Sequence, residues 1–197
     1  MTHREMTTNR LEAFSDGVIA IIITIMVLEL RAPAQPTFAA LTKVAPVFLS
    51  YALSFLVAAI MWTNHHHLIH AVHTVTARLL WSNLYLLFWM SLIPFVTDYV
   101  GKNYHEPMAV ALYGLDLCLC ASGFYLLRIE LIRQSGHDTA MIEYHERIQR
   151  KNAFSGALYA ASVPLAYVSI YASFFIFALI PATYFLPEKQ LETNSQQ

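Results

Sequence analysis

The sequence predicts an all-α integral membrane protein with six transmembrane helices per chain. Three observations carry that expectation. Of 197 residues, 57 % are hydrophobic and only 13 % charged, a balance too apolar for an ordinary soluble domain. Stretches free of Asp, Glu, Lys and Arg reach 34 residues (44–77) and 36 residues (152–187), whereas one crossing needs only about 20. Lys and Arg are split unevenly between the connections, nine on one side and three on the other. By the positive-inside rule, that places both termini in the cytoplasm.

The first helix is expected at 12–31. Between the carboxylates of Asp16 and Glu29 lie twelve residues, Gly17 to Leu28, all apolar or Gly except Thr24. At about 1.5 Å per residue they cover roughly 18 Å, well short of a hydrocarbon core of about 30 Å. A crossing helix must therefore run from near Arg10 to Arg31 and draw both carboxylates inside its ends. There a carboxylate has to face protein, water or ions rather than lipid. An apolar middle with an acid at each end suggests a pore wall rather than an anchor.

The second helix, 44–68, is apolar from Val44 to Thr63 and runs on into a His-rich end. The third is expected at 79–99. The fourth, 107–128, is interrupted at mid-depth by Asp116. The uncharged run after Asn152 is long enough for two short crossings, 152–168 and 170–187, turning near Pro164–Ser169. Between them and the fourth helix, 129–151 is polar and mixed in sign, with Gln134-Ser135-Gly136 as a turn signal, and is expected as a partly helical cytoplasmic loop. Residues 188–197 form a polar tail expected to be disordered. Arg4, Arg10, the 18–28 run and Ala32-Pro33-Ala34 also sketch a cleavable leader. Asp16 and Glu29 flank its apolar part awkwardly, and the later spans favour retention.

A formal net charge of −1 gives no basic footprint for nucleic acid. Cys118 and Cys120, two apart on a helix, point to nearly opposite sides and make no disulfide framework. No nucleophile–His–acid constellation or phosphate-cradling loop is visible, so no catalytic residues are assigned.

Three groups of residues carry chemistry. Gly17, Ile21, Thr24, Ile25 and Leu28 recur at three- and four-residue steps and share one stripe of the first helix. The stripe is either a lipid- or helix-packing surface or, repeated around an axis, a set of rings that can dewet and gate. Arg10 and Asp16 are about 240° apart around that helix, so each needs a partner elsewhere. At the end of the second helix stand Trp62, Asn64, His65, His66 and His67, followed by His70 and His73. They either donate hydrogen bonds to Ser15 and Asp16 or, through His66, His67, His70 and His73, hold a metal in a membrane metalloenzyme. Finally, Asp116 is an intramembrane acid. It is either the proton site of a proton-coupled transporter or a carboxyl bonded to Tyr85, Asn83 or Tyr113.

The string Arg10-x-x-x-Phe14-Ser15-Asp16, followed by Gly17-Val18-Ile19-Ala20-Ile21 and then Thr24, resembles the endosomal/lysosomal potassium channel family, transmembrane protein 175. The six-helix plan and the Trp62/Asn64/His65–His67 cluster are similar to that family as well. The resemblance implies a potassium-permeable cation channel, weakly to moderately selective, with K+ as permeant ion and no cofactor or structural metal. A single copy of the motif resembles the prokaryotic type, a homotetramer in the cell (inner) membrane. It further implies that the first helix lines the central pore, with Ile21 as a hydrophobic constriction and Thr24, Ile25 and Leu28 facing the same axis. Arg10, Phe14, Ser15 and Asp16 then belong to a structural network that uses the Trp62/Asn64/His cluster. The expected partners are further copies of the chain, the bilayer and monovalent cations.

Overall fold

The structure, a computed structural model, describes residues 7–72, 74–134 and 139–185. Every element among them is a helix: α1 Thr8–Leu28, α2 Phe38–Lys43, α3 Ala45–His70, α4 Ala77–Met90, α5 Ile93–Lys102, α6 Pro107–Gln134, α7 Thr139–Ala166 and α8 Ile170–Phe185. Four stretches are long and apolar enough to cross a membrane: α1, α3, the α4–α5 pair taken together, and α6. The apolar α8 is shorter.

α6 lies at the centre of the packing, against α7, α4 and α5, while α3 packs on α5 and α1 on α3, α5 and α4. Close approach is built on small residues, as membrane helices require where lipid removes the hydrophobic drive between them. At Gly123 an added Cβ would lie 2.9 Å from Cα and Cβ of Leu86, so α4 and α6 touch almost backbone to backbone. Polar side chains add ties within this core. Thr97 of α5 donates to Ser54 of α3 at 2.7 Å, and Ser54 shares a 2.9 Å bond with Tyr113 of α6.

Several boundaries differ from the expectation. The single third helix expected at 79–99 is broken at Ser91–Leu92 into α4 and α5. The cause is Pro94 in the first turn of α5. It has no N–H to give and crowds the carbonyl four residues back, at Met90. The chain adjusts locally, with Leu92 N–H bonding to Trp89 O at 3.0 Å and Ser91 Oγ to Phe88 O at 2.6 Å. Most of the expected 129–151 loop is helix, since α6 continues to Gln134 and α7 begins at Thr139. The polar residues there extend the helices beyond their apolar portions. A short helix in the first connection, α2, was not expected; Thr37 caps it by accepting from Ala40 N–H at 3.2 Å. The chain turns between α7 and α8 at Tyr167–Ser169. The expected 188–197 tail lies outside the described residues.

Gly123→Ala should lower stability by about 1–3 kcal/mol, because neither backbone can retreat from a methyl inserted there. Thermal unfolding of detergent-purified protein would register it as a lower midpoint.

Candidate pore helix and its lock

α1 has two faces. Leu11, Ser15, Ile19, Ile22 and Met26 are buried. On the other side Phe14, Ile21, Ile25 and Leu28 are 52 %, 58 %, 41 % and 73 % exposed, and Gly17 and Thr24 are exposed with them. Nothing lies within 4 Å of the Cβ position at Gly17. Thr24 turns its hydroxyl hydrogen back to Ile21 O at 2.9 Å, which leaves the oxygen lone pairs facing outward. The five-residue stripe singled out in the sequence is thus the face that the single chain leaves uncovered. Beside it an apolar groove of about 530 Å³ runs between α1 and the α4–α5 break, lined in part by Ile21, Ile25, Pro94 and Phe95.

What fixes the rotation of α1 is a chain of polar side chains from three helices. Ser15 Oγ accepts from Asn83 Nδ2 of α4 at 3.0 Å and donates to Leu11 O at 2.9 Å. Asn83 Oδ1 pairs at 2.8 Å with Nε2 of His65 on α3. Since the amide oxygen can only accept, His65 carries its hydrogen on Nε2. All three side chains are 0 % exposed. A buried polar group that loses its partner costs about 1–3 kcal/mol, so the three hold one another in a single register.

A second set of ties runs along the outside of the α1–α3 contact. Trp62 Nε1 donates to Asp16 Oδ1 at 2.9 Å. One turn further out, Glu12 Oε1 receives His66 Nδ1 at 3.1 Å and His70 Nε2 at 3.2 Å. At the end of the contact Thr8 Oγ1 reaches Val72 O at 3.5 Å. Residues 8, 12 and 16 ascend α1 while their partners 72, 70/66 and 62 descend through α3 and the residues just after it, so the two segments pair antiparallel, rung by rung.

The expected network is partly redistributed. Trp62 meets Asp16, but Ser15 reaches His65 only through Asn83, a residue expected beside Asp116. Asn64 does not join: it lines a cavity on the far side of α3 with Met61, Phe124, Asn152, Tyr159 and Tyr184. His67 is exposed, its ring edge-on to His66 at 5.6 Å. Of the four histidines of the sequence reading, His73 lies outside the described residues; among the described residues, His66 and His70 gather with Glu12. Arg10 and Phe14 point outward and have no polar tie among the described residues. Asp116 is 3 % exposed, and neither carboxyl oxygen finds a hydrogen bond among the described residues. Its three expected partners are engaged elsewhere: Tyr113 with Ser54, Asn83 with Ser15 and His65, and Tyr85 with Ser122 at 3.1 Å.

Comparison with known proteins converges on one group. The family model described as endosomal/lysosomal potassium channel TMEM175 matches residues 10–94, which contain both sides of the α1–α3 contact. A potassium channel of a Chryseobacterium species is 38 % identical over 193 residues, covering 98 % of this chain and 100 % of that protein. The chain belongs to the TMEM175 family. A potassium channel of Streptomyces collinus is 34 % identical across 82 % of this chain and 84 % of its own length. The human endosomal/lysosomal proton channel TMEM175 is 33 % identical, but the match spans 53 % of this chain and 23 % of the human protein. Among solved structures, the lysosomal potassium-selective channel TMEM175 homologue from Chamaesiphon minutus superposes with a TM-score of 0.78. That match has 26 % identity and covers 90 % of this chain and 95 % of the other. Family membership makes this a multi-pass membrane protein and sets aside the metalloenzyme reading of the histidines: TMEM175 proteins are channels, not enzymes.

Asn83→Ala should cost about 1–3 kcal/mol, because it leaves the buried His65 Nε2–H without an acceptor, while Ser15 keeps its bond to Leu11 O. Trp62→Phe, at a position 43 % exposed, should cost about 1 kcal/mol or less. Thermal unfolding of the two variants side by side checks the order.

Proposed function

We propose that this chain is one subunit of a homotetrameric, potassium-permeable cation channel whose pore is lined by α1. The observation that carries the reading is the division of α1 into a locked inner face and an uncovered outer stripe of Gly17, Ile21, Thr24, Ile25 and Leu28. The naming of its bacterial relatives as potassium channels supports the choice of ion. Around a fourfold axis the stripe becomes rings. Those at Ile21, Ile25 and Leu28 are apolar and narrow the path, with Ile21 the constriction, and such a ring holds ions back until it hydrates. The Thr24 ring offers oxygen lone pairs to a partly dehydrated cation. Selection by such rings is weak to moderate, because no cage of backbone carbonyls replaces the hydration shell. Asp16 and Glu29 near the two ends of the apolar stretch concentrate cations at the mouths.

In the assembly Arg10 finds its partner on a neighbouring subunit, and the groove beside α1 receives part of that neighbour. Each chain crosses the cell (inner) membrane six times, with α7 and α8 supplying the two short crossings and both termini in the cytoplasm. Conduction needs no cofactor; K+ is the permeant ion.

Purified protein in a planar bilayer with potassium facing sodium should carry channel-sized currents that reverse toward the potassium equilibrium. Slow, saturable flux driven by pH would instead indicate a transporter using Asp116. Ile21→Asn should raise conductance and move the reversal potential toward zero, since a polar ring hydrates the constriction. Unchanged conductance and ion preference would remove Ile21 from the pore.

A further inference from the structure

Glu12, His66 and His70 do more than close the α1–α3 contact. His66 and His70 are one helical turn apart on α3, and both turn a ring nitrogen to the same oxygen, Glu12 Oε1, at 3.1 and 3.2 Å. The three atoms all lie within 4.8 Å of one another. Ligand atoms on a tetrahedral zinc ion, each about 2.0–2.2 Å from the metal, are themselves about 3.3–3.5 Å apart. Both glutamate–histidine separations are already close to that spacing, and a modest turn of His70, an exposed side chain, would close the third. Two imidazoles and a carboxylate are a donor set for Zn2+ rather than for Ca2+ or Mg2+, which prefer oxygen alone.

We propose that Glu12, His66 and His70 form a binding site for a divalent transition-metal ion, Zn2+ above all, that staples the first turns of the pore helix to α3. The ring contacts support a pre-formed site. His66 meets His70 edge-on at 4.4 Å and stacks with Trp62 at 6.0 Å, so its orientation is fixed from both sides. Access is open, since the side chains of His66 and His70 are 37 % and 60 % exposed while that of Glu12, at 18 %, is held beneath them. Without metal the facing nitrogens carry hydrogens donated to the carboxylate. With metal they present lone pairs, and each ring keeps its remaining hydrogen on the other nitrogen. Water completes the coordination. His67 lies outside the donor set.

The site lies one turn outside the Trp62–Asp16 bond, at the same end of α1. A bound ion therefore replaces two weak, partly exposed contacts with a brace at the point where α1 enters the bundle. The proposal does not depend on conduction, and its test can be made on protein in detergent.

Metal-free protein titrated with Zn2+ should take up a single ion per chain and unfold at a higher temperature as it does so, as a ligand specific for the folded state must cause. Glu12→Gln and His70→Gln should each weaken binding by about tenfold or more and abolish the thermal shift, whereas His67→Gln should leave both unchanged. His70 is exposed, so its replacement leaves the fold intact. Mg2+ should give no shift. Absence of saturable binding in the parent protein, or equal affinity in all three variants, would overturn the assignment.

Discussion

The orientation of α1 depends on the Ser15–Asn83–His65 hydrogen bonds. In a bilayer the packing of apolar helices is nearly isotropic, because a leucine gains little by leaving lipid for protein. Apolar residues ring α1 almost completely, so greasiness alone does not say which side turns inward. A buried serine facing a buried amide and a buried imidazole does. Rotating α1 by one residue would break the Ser15–Asn83 bond and leave the Asn83 amide hydrogen without its acceptor in a low-dielectric core. The lock therefore selects one register, and that register leaves the Gly17–Leu28 stripe for whatever lies outside the chain.

The outer ties act differently. Trp62 to Asp16 and the two histidines to Glu12 lie at the edge of the contact, where water or headgroups compete for the same groups. Each contributes less than a buried bond, but their order along the helices prevents α1 from sliding against α3. Inner lock and outer rungs together make α1 a rigid wall. The proposed constriction at Ile21 depends on such rigidity, since a helix free to rotate would replace Ile21 with a neighbour from another face.

Much of this was legible in the sequence, and the gaps have physical reasons. The stripe on α1 follows from residue spacing, because helical geometry fixes which side chains share a face. The likeness of Arg10–Asp16 to the family rests on residue identities that survive in one short string. Glu12 escaped notice although its signal was present: Glu12 and Asp16 are four apart on α1, and Trp62, His66 and His70 are four apart on α3, two ladders that match only when the helices run antiparallel. Asn83 is one of three candidates beside Asp116 by depth in the membrane, whereas rotation about the helix axis turns it to Ser15 and His65. Asn64 follows the same rule; two positions from Trp62 it faces the opposite side of α3. The break at Ser91–Leu92 could have been read from Pro94, whose missing N–H is a local property. The continuation of α6 and α7 into 129–151 could not be read from charge, because polar residues form helices readily once outside the bilayer.

The central claim is that the uncovered stripe of α1 surrounds a water-filled path. Single cysteines at Ile21, Thr24 and Leu28, and at the buried positions Ile22 and Met26, in a background with Cys118 and Cys120 replaced, would test it directly with a charged, water-soluble thiol reagent applied during current recording. Block confined to 21, 24 and 28 is the result this account predicts. Block on both faces, or at none of the five positions, would contradict it.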